Sequence, residues 1–332
     1  MLFTGVLMIP FINLLYRLKF RNPKKREEDP LGKKTPIFNQ LHGHKVGTPT
    51  GGGILMIISS FLFSVMYYFL TDFSMNWTST ILFTTLFLFG LLGLYDDVTK
   101  FFKLEKKGFW GLRFKQKFIF QWIFAFFISY LMYAYITLDA IFIPILQPLF
   151  AIGPWGMGIF FIPFAALTIV SSSNAFNETD GLDGLAAGLL VIALSAFWAL
   201  TDSSQGDVQL LIAVIIGALI PFLYFNIYPA RIFMGDTGAL AYGALLAVIA
   251  LLINQAFILP IIGGVFVLEV GSSLIQLGSK LLRNGKKVFP IAPIHHTFEY
   301  IGWDETKVTM RFWLAGVVLA FIGLFVATFG IS

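Results

Sequence analysis

A chain of 332 residues is long enough for two or three soluble domains, but its composition excludes a water-soluble globule. Hydrophobic residues make up 57% of the chain and charged residues only 12%, which leaves too little polar surface for a soluble protein of this size. Because the sequence has no cysteine, disulfides and thiolate metal sites are excluded. The net charge of +5 does not indicate nucleic-acid binding, because the basic residues lie between apolar segments.

Apolar segments of about 20 residues, the length that crosses a bilayer as a helix, recur along the chain. They predict an all-α, polytopic integral membrane protein with about ten transmembrane helices, forming a single domain over residues 1–332. A cleaved signal peptide is the alternative for the first segment, but no small-residue cleavage site follows it. The predicted spans lie near residues 1–16, 52–71, 78–95, 117–136, 157–175, 184–201, 208–226, 238–254, 257–280 and 308–330.

The basic residues lie on one side of this predicted bundle. All 23 Lys and Arg residues fall within, or border, the loops at 17–51, 96–117, 176–184, 227–237 and 281–307. The opposite loops carry only acids, which are Asp72, Asp139, Asp202 and Asp207. By the positive-inside rule the five basic loops are cytoplasmic, and both termini lie on the non-cytoplasmic side.

Two polar clusters border the second and third spans. Residues 45–53 read KVGTPTGGG, where glycines allow close backbone approach and the following helix N-terminus favours an anion such as phosphate. A plain loop entering a helix is the alternative. Asp96 and Asp97 are adjacent at the end of the third span, and their mutual repulsion favours a cation or a transferable proton beside them. Pairing with Lys100 and Lys103 is the structural alternative.

Two further clusters combine acids with amides and glycines. Residues 174–186 read NAFNETDGLDGLA, a polar stretch that would be costly at a membrane surface unless it held a polar ligand or metal. Its spacing does not match an EF-hand loop. Residues 225–238 read FNIYPARIFMGDTG, in which Asp236 suits contact with a phosphate-bound metal. Phe233 offers a stacking face for a planar base, with contact to lipid as the alternative.

The last cluster, PIHHTFE at residues 293–299, contains an adjacent pair of histidines. Such a pair can transfer protons or bind phosphate, but without further ligands it does not predict a zinc site. Aspartates, lysines, glycine-rich backbone and a His pair are the parts that phosphoryl transfer uses, with magnesium neutralising charge on the phosphate oxygens. The sequence therefore predicts a magnesium-dependent phosphotransfer enzyme, and the apolar surroundings indicate a lipid substrate.

Taken together, these motifs, the last extending as APIHHTFEYIGWDETKV, resemble the phospho-N-acetylmuramoyl-pentapeptide-transferase family from about Lys45 to Arg311. This family belongs to the polyprenyl-phosphate N-acetylhexosamine-1-phosphate transferases. The resemblance implies transfer of phospho-MurNAc-pentapeptide from UDP-MurNAc-pentapeptide to undecaprenyl phosphate, forming lipid I and UMP. That step belongs to peptidoglycan synthesis, and so to cell wall formation, cell shape and cell division. The resemblance also implies a homodimer in the bacterial plasma membrane, with its active site facing the cytoplasm.

Residue roles follow from the same resemblance. Asp236 would bind Mg²⁺, Asp96 would deprotonate the lipid phosphate, and Asp97 would serve the phosphate and metal. Together with His295 these form the predicted catalytic set. The resemblance leaves open whether attack is direct or passes through an aspartyl intermediate. The positions implied to bind substrate are Lys45, Thr50, Lys100, Asn177, Asp180, Asp183, Asn226, Phe233, Gln276 and His296.

The sequence departs from the family pattern at two positions. Thr297 stands where the family usually has a third histidine, and Gly51 stands where it usually has methionine. A sister enzyme that transfers GlcNAc-1-phosphate from UDP-GlcNAc is the nearest alternative, but it is expected to lack the HHxFE and GTPT segments. A secondary transporter is the alternative from another class. Transporters place broken helices and charges near the bilayer midplane, whereas the polar clusters here gather at one face.

Overall fold

The computed structural model describes residues 1–21, 45–71, 74–102, 114–144 and 155–328. These ranges are mostly helical, as the composition predicts. The helices are α1 (Leu2–Arg17), α2 (Gly52–Leu70), α3 (Trp77–Phe102), α4 (Phe114–Tyr135), α5 (Phe161–Thr179), α6 (Leu185–Ala199), α7 (Gly206–Asn226), α8 (Gly235–Leu252), α9 (Leu259–Ile262), α10 (Gly264–Leu282), α11 (Ile294–Tyr300) and α12 (Glu305–Thr328).

Eight of these helices are long and apolar enough to cross a membrane, namely α2, α3, α4, α5, α7, α8, α10 and α12. The prediction of a polytopic membrane protein is confirmed at this level. The predicted spans 1–16 and 184–201 coincide with α1 and α6, apolar helices of only 16 and 15 residues. At a rise of about 1.5 Å per residue neither reaches the roughly 30 Å of a hydrocarbon core, so the count of ten stays a prediction.

The structure differs from the predicted elements in two places. The predicted span 257–280 is interrupted at Gly263, which ends α9 and precedes α10. Glycine is a weak helix former, and the sequence places two of them in a row there. The all-α prediction misses a short antiparallel strand pair, β1 (Ala140–Ile141) with β2 (Trp155–Gly156).

Helix α8 lies at the centre of the bundle, with most of its length buried against α2, α3 and α5. Small residues make this packing possible. Gly53 of α2 lies against Gly238 of α8, and Gly93 of α3 lies against the backbone of Asp236, where a Cβ atom would overlap it. The N-terminus of α8 is therefore held directly against the end of α3 that carries Asp96 and Asp97.

The predicted cytoplasmic loops meet at this end of the bundle. The described contacts join Thr50 to Phe233, Lys45 to Asp183, and Lys100 to Asp236. Residues 22–44 and 103–113 of these loops, and Asp72 on the opposite side, lie outside the described residues. The assignment of this end to the cytoplasm stays a prediction.

Polar and aromatic contacts tie the helices together at the opposite end. The buried Asp207 carboxylate of α7 accepts hydrogen bonds from the Tyr68 hydroxyl of α2 at 2.7 Å and from Asn76 Nδ2, before α3, at 2.5 Å. Trp77 stacks on Tyr135 with ring centroids 3.7 Å apart, the kind of amphipathic pair found where helices reach a membrane interface. These contacts join α2, α3, α4 and α7 at the helix ends opposite the clustered loops.

Candidate active site

Asp97 holds the first turn of α8. One of its carboxylate oxygens accepts a hydrogen bond from the backbone N–H of Asp236 at 3.1 Å. The other accepts from the backbone N–H and the hydroxyl of Thr237, at 3.0 and 2.8 Å. A carboxylate at a helix N-terminus satisfies free amides and is stabilised by the helix dipole. Gly235 has φ +78°, and a Cβ atom there would lie 2.8 Å from Asp97 Oδ2, so this approach requires glycine.

Asp96 and Asp236 share two lysine ammonium groups. Lys100 Nζ lies 2.9 Å from Asp96 Oδ2 and 2.8 Å from Asp236 Oδ2. Lys117 Nζ, from α4, lies 3.1 Å from the same oxygen of Asp96 and also contacts Asp236 Oδ2. Asp96 is almost fully buried, whereas Asp236 and both lysines keep some exposure. Three helices thus bring two acids and two bases to one partly open point.

Asp180, in the loop between α5 and α6, faces the same acidic cluster. Burial raises the pKa of Asp180 from its ordinary 3.8 to about 7, and the nearby negative charge of Asp236 adds to the shift. Lys45 acts against it, while Asp97 and Asp183 raise it further. The Asp180 carboxyl therefore lies close enough to Asp236 and Lys45 to interact with their charges.

Lys45 lies at the centre of a second ion-pair group. Its ammonium is 2.7 Å from Asp183 Oδ1 and 2.5 Å from Glu305 Oε1. Glu305 begins α12 and also accepts the backbone N–H of Asp183 at 2.7 Å, while Asp183 Oδ2 accepts the backbone N–H of Ala230 at 2.8 Å. All three charged side chains are buried. They join the loop before α2 to the loops before α6 and α8.

Backbone pairing aligns the glycine-rich segment with the segment before α8. Thr50 forms a parallel bridge with Phe233, whose carbonyl accepts the N–H groups of Gly51 and Gly52 at 3.1 and 2.9 Å. The Phe233 ring is half-buried and lies 5.9 Å from Lys45 Nζ.

Asn226 connects the loop before α6 to the segment before α8. Its amide oxygen accepts the N–H of Gly184 at 3.2 Å, and its amide nitrogen donates to the carbonyl of Ile232 at 2.9 Å. The predicted binding positions Thr50 and Asn226 therefore both contact the segment that contains Phe233.

The two histidines each pair with a glutamate. His295 Nδ1 lies 2.8 Å from Glu269 Oε2 of α10, and both side chains are fully buried. His296 Nδ1 lies 2.8 Å from Glu299 Oε2, and the two imidazole rings are 4.0 Å apart. A Cβ atom at Gly181 would lie 2.5 Å from His295 Nε2. The His pair therefore borders the loop that carries Asp180 and Asp183.

Three positions from the sequence-based predictions lie further out. The Gln276 side chain binds backbone groups of Val288 and Phe289, at 2.7 to 3.1 Å, and so holds the loop before α11. The Thr297 hydroxyl donates to the carbonyl of Ile291. Asn177 is half-buried in the last turn of α5, one turn before Gly181. The catalytic and substrate-binding roles of all the predicted site residues, Gln276 and Asn177 included, stay predictions.

Three charged residues of the site were not predicted from the sequence. Lys117 counted there only as one basic residue marking a loop, although a lysine at the start of a span is also a candidate partner for acids. Glu305 lay unassigned within the GWDETKV segment. Glu269 was a single acid inside a predicted span, and an ionisable residue in an apolar span is itself a signal of function.

Comparison with known proteins identifies the family of this chain. The sequence model of Glycosyl transferase family 4 matches residues 79–254, which include Asp96, Asp97 and Asp236. The chain is 37% identical to a phospho-N-acetylmuramoyl-pentapeptide-transferase of Leptospira biflexa, over 98% of this chain and 90% of the relative. Relatives with the same name from Oceanobacillus iheyensis and Rickettsia massiliae are 39% and 35% identical, over 98% and 96% of this chain and 94% and 89% of the relatives.

The chain belongs to the phospho-N-acetylmuramoyl-pentapeptide-transferase family. Its resemblance to that family is therefore confirmed. As a member of a transferase family with eight helices that can cross a membrane, the chain is a membrane-bound transferase. Membership also argues against the transporter alternative.

Proposed function

We propose that this protein transfers phospho-MurNAc-pentapeptide from UDP-MurNAc-pentapeptide to undecaprenyl phosphate, forming lipid I and UMP, in the plasma membrane of a bacterium. The relatives carry the name of this activity and cover nearly the whole chain. The donor is a soluble nucleotide sugar and the acceptor is a lipid phosphate. A polar site at one end of a helix bundle suits both, because lipid reaches it from the bilayer and nucleotide from water.

The observation that carries the proposal is the sharing of Lys100 and Lys117 between Asp96 and Asp236. Ammonium groups at this point can bind phosphate oxygens, and the N-terminus of α8 adds positive potential. When phosphate oxygens bind the two ammonium groups, the lysines no longer stabilise the Asp96 carboxylate. Asp96 therefore accepts a proton more readily. Asp96 then accepts the proton of the lipid phosphate, whose oxygen attacks the sugar-bearing phosphorus of the donor as UMP leaves.

The residues at this point fit a magnesium ion. Mg²⁺ prefers oxygen ligands, typically one or two carboxylates together with substrate phosphates. The described residues include no ready group of three His, Asp or Glu ligands, so phosphate oxygens and water would complete the shell. Asp236 is the proposed protein ligand, because its carboxylate is more open than those of Asp96 and Asp97. When bound, the ion would neutralise charge on the diphosphate.

Asp97 has a different part in the proposal. Both of its oxygens are occupied by hydrogen bonds to the first turn of α8. Asp97 therefore acts as a positioning residue that holds Asp236 at the reacting phosphates. The buried Lys45 group fixes the loops that surround the donor, and Phe233 offers its half-buried ring to the base. Orientation of this end toward the cytoplasm and assembly as a homodimer are further parts of the proposal.

Turnover by purified protein in bilayer discs tests the proposal. With UDP-MurNAc-pentapeptide, undecaprenyl phosphate and Mg²⁺, we expect a lipid-linked muramoyl product and one UMP for each product formed. The same reaction with UDP-GlcNAc should give no lipid product. Lipid product from UDP-GlcNAc, and none from UDP-MurNAc-pentapeptide, would instead identify the sister enzyme. An unchanged rate after a chelator removes Mg²⁺ would contradict the role of the ion.

A further inference from the structure

Glu269 and His295 form a fully buried pair. Both side chains have no exposed surface, and Nδ1 of the imidazole lies 2.8 Å from Oε2 of the carboxylate. The same oxygen lies 3.5 Å from the backbone nitrogen of His295. Oε1 of Glu269 makes no hydrogen bond with any residue that the structure describes. The only side-chain hydrogen bond to this carboxylate among the described residues thus comes from an imidazole nitrogen, beside backbone groups of the same segment.

Stability does not account for a carboxylate in this position. Burying a carboxylate is costly unless it is paired, and an apolar side chain of similar volume is often as good or better. Glu269 lies in the second turn of α10, a helix long and apolar enough to cross a membrane. An ionised carboxylate can only accept a hydrogen bond, so its placement opposite Nδ1 favours a proton on that nitrogen.

The other imidazole nitrogen points toward the candidate active site. Nε2 of His295 faces Gly181, since a Cβ atom there would lie 2.5 Å away. Gly181 follows Asp180, whose carboxyl senses the charges of Asp236 and Lys45. A histidine with its Nδ1 proton held by a carboxylate presents Nε2 in a fixed direction, a relationship often found around functional imidazoles.

We propose that Glu269 is a positioning residue that holds the Nδ1 proton of His295 and so fixes Nε2 against Gly181, in the loop that carries Asp180 and Asp183. Because the imidazole is fully buried, this contact positions the loop, and with it Asp180 and Asp183, for the bound substrate. The inference rests on the proposed function for the identity of that substrate. The pairing itself is independent of it.

Nitrogen NMR of the histidine rings tests the pairing without any turnover. Protein carrying ¹⁵N-labelled histidine has four imidazoles, and the His295→Gln variant identifies the signals of His295. In the wild-type protein we expect His295 to carry a proton on Nδ1. Glu269→Gln should change the His295 signals, whereas Glu299→Gln, which alters the neighbouring pair, should chiefly change those of His296. A wild-type His295 with its only proton on Nε2 would overturn the proposal even if neither glutamate variant folded.

Kinetics then test the positioning role. We expect Glu269→Gln to lower kcat by about 10- to 100-fold, the usual effect of losing such a partner, with KM for either substrate changed by less than about three-fold. Asp207→Asn removes another buried carboxylate, at the far end of the bundle, and should keep kcat within about two-fold of the wild type. Melting curves of both variants show how much of each effect is structural.

The outcomes are distinguishable. If wild-type protein turns over no muramoyl donor, the proposed function fails while the ring signals still decide the pairing. If wild-type protein is active and folded Glu269→Gln has an unchanged kcat with unchanged His295 signals, the inference fails and the proposed function stands. A fall in kcat in Glu269→Gln that is matched by Asp207→Asn would also overturn it, because a structural effect alone would then explain both.

Discussion

The carboxylate of Asp97 accepts a hydrogen bond from the backbone N–H of Asp236 at 3.1 Å. This contact joins the end of α3 to the start of α8 and places two predicted catalytic residues in one arrangement. The two residues also have different roles. Both carboxylate oxygens of Asp97 accept hydrogen bonds from the first turn of α8, while the Asp236 carboxylate contacts Lys100 and Lys117.

Substitution of Asp97 by asparagine tests this separation. The amide nitrogen of asparagine would face backbone donors, so the variant loses at least one hydrogen bond to a charged acceptor, worth about 1.5–3 kcal/mol. We expect a lower melting temperature and at least about a 100-fold loss of kcat, because Asp236 is no longer held. Thr237→Val removes only the 2.8 Å hydroxyl contact and should have a smaller effect on both. Equal losses in the two variants would contradict this assignment.

Lys117 provides a second prediction, for a residue that the sequence marked only as basic. Lys117→Met keeps the length and apolar stem of the side chain but removes the ammonium that Asp96 and Asp236 share. We expect a fall in kcat/KM for the nucleotide donor of about 100-fold, measured as UMP release. Lys115→Met, at an exposed position two residues away, is the matched control and should retain at least about half of the activity.

The raised pKa of Asp180, about 7, predicts a pH-dependent stability. Because the folded pKa lies above the ordinary value of 3.8, the folded state binds more protons between these two values. The contribution of Asp180 to stability is therefore favourable at low pH and is lost as the pH rises through about 7.

Thermal melting of Asp180→Asn in metal-free buffer checks this sign. The variant should melt higher than the wild type near about pH 8, and the difference should shrink or reverse near about pH 5. A variant that is destabilised more at the higher pH would show that Asp180 is instead held as a stabilised anion.

Thr297 tests the departure from the family pattern. Its hydroxyl, in α11, donates to the carbonyl of Ile291 in the preceding loop, and the neighbouring His295 and His296 already have glutamate partners. We expect Thr297→His to change turnover by less than about three-fold. A large gain in the lipid-product assay would show that the third histidine matters for the reaction.

Much of the fold and of the site could be predicted from the sequence, because both depend on local pattern. Apolar runs of membrane length mark the long spans, and Asp96, Asp97 and Asp236 stand out as acids at span ends. The break at Gly263 was missed because the apolar run continues across it. Hydropathy responds to the composition of a segment and not to backbone interruption.

The pairings between distant segments could not be predicted in the same way. Lys45 and Glu305 are 260 residues apart, and nothing local to either indicates the other as its partner. The same holds for Glu269 and His295, which come together only because α11 packs against α10. Sequence pattern indicates which residues carry chemistry, whereas the packing of helices decides which of them share one point.

The central claim is that phosphotransfer from a muramoyl nucleotide takes place where Asp96 and Asp236 share Lys100 and Lys117. The most direct test compares the wild type and Asp236→Asn in bilayer discs, with radiolabelled UDP-MurNAc-pentapeptide, undecaprenyl phosphate and Mg²⁺. We predict a labelled lipid product from the wild type, and at least about a 1,000-fold lower rate from a variant that is folded and inserted normally. Normal turnover by Asp236→Asn, or no labelled lipid from the wild type, would contradict the claim.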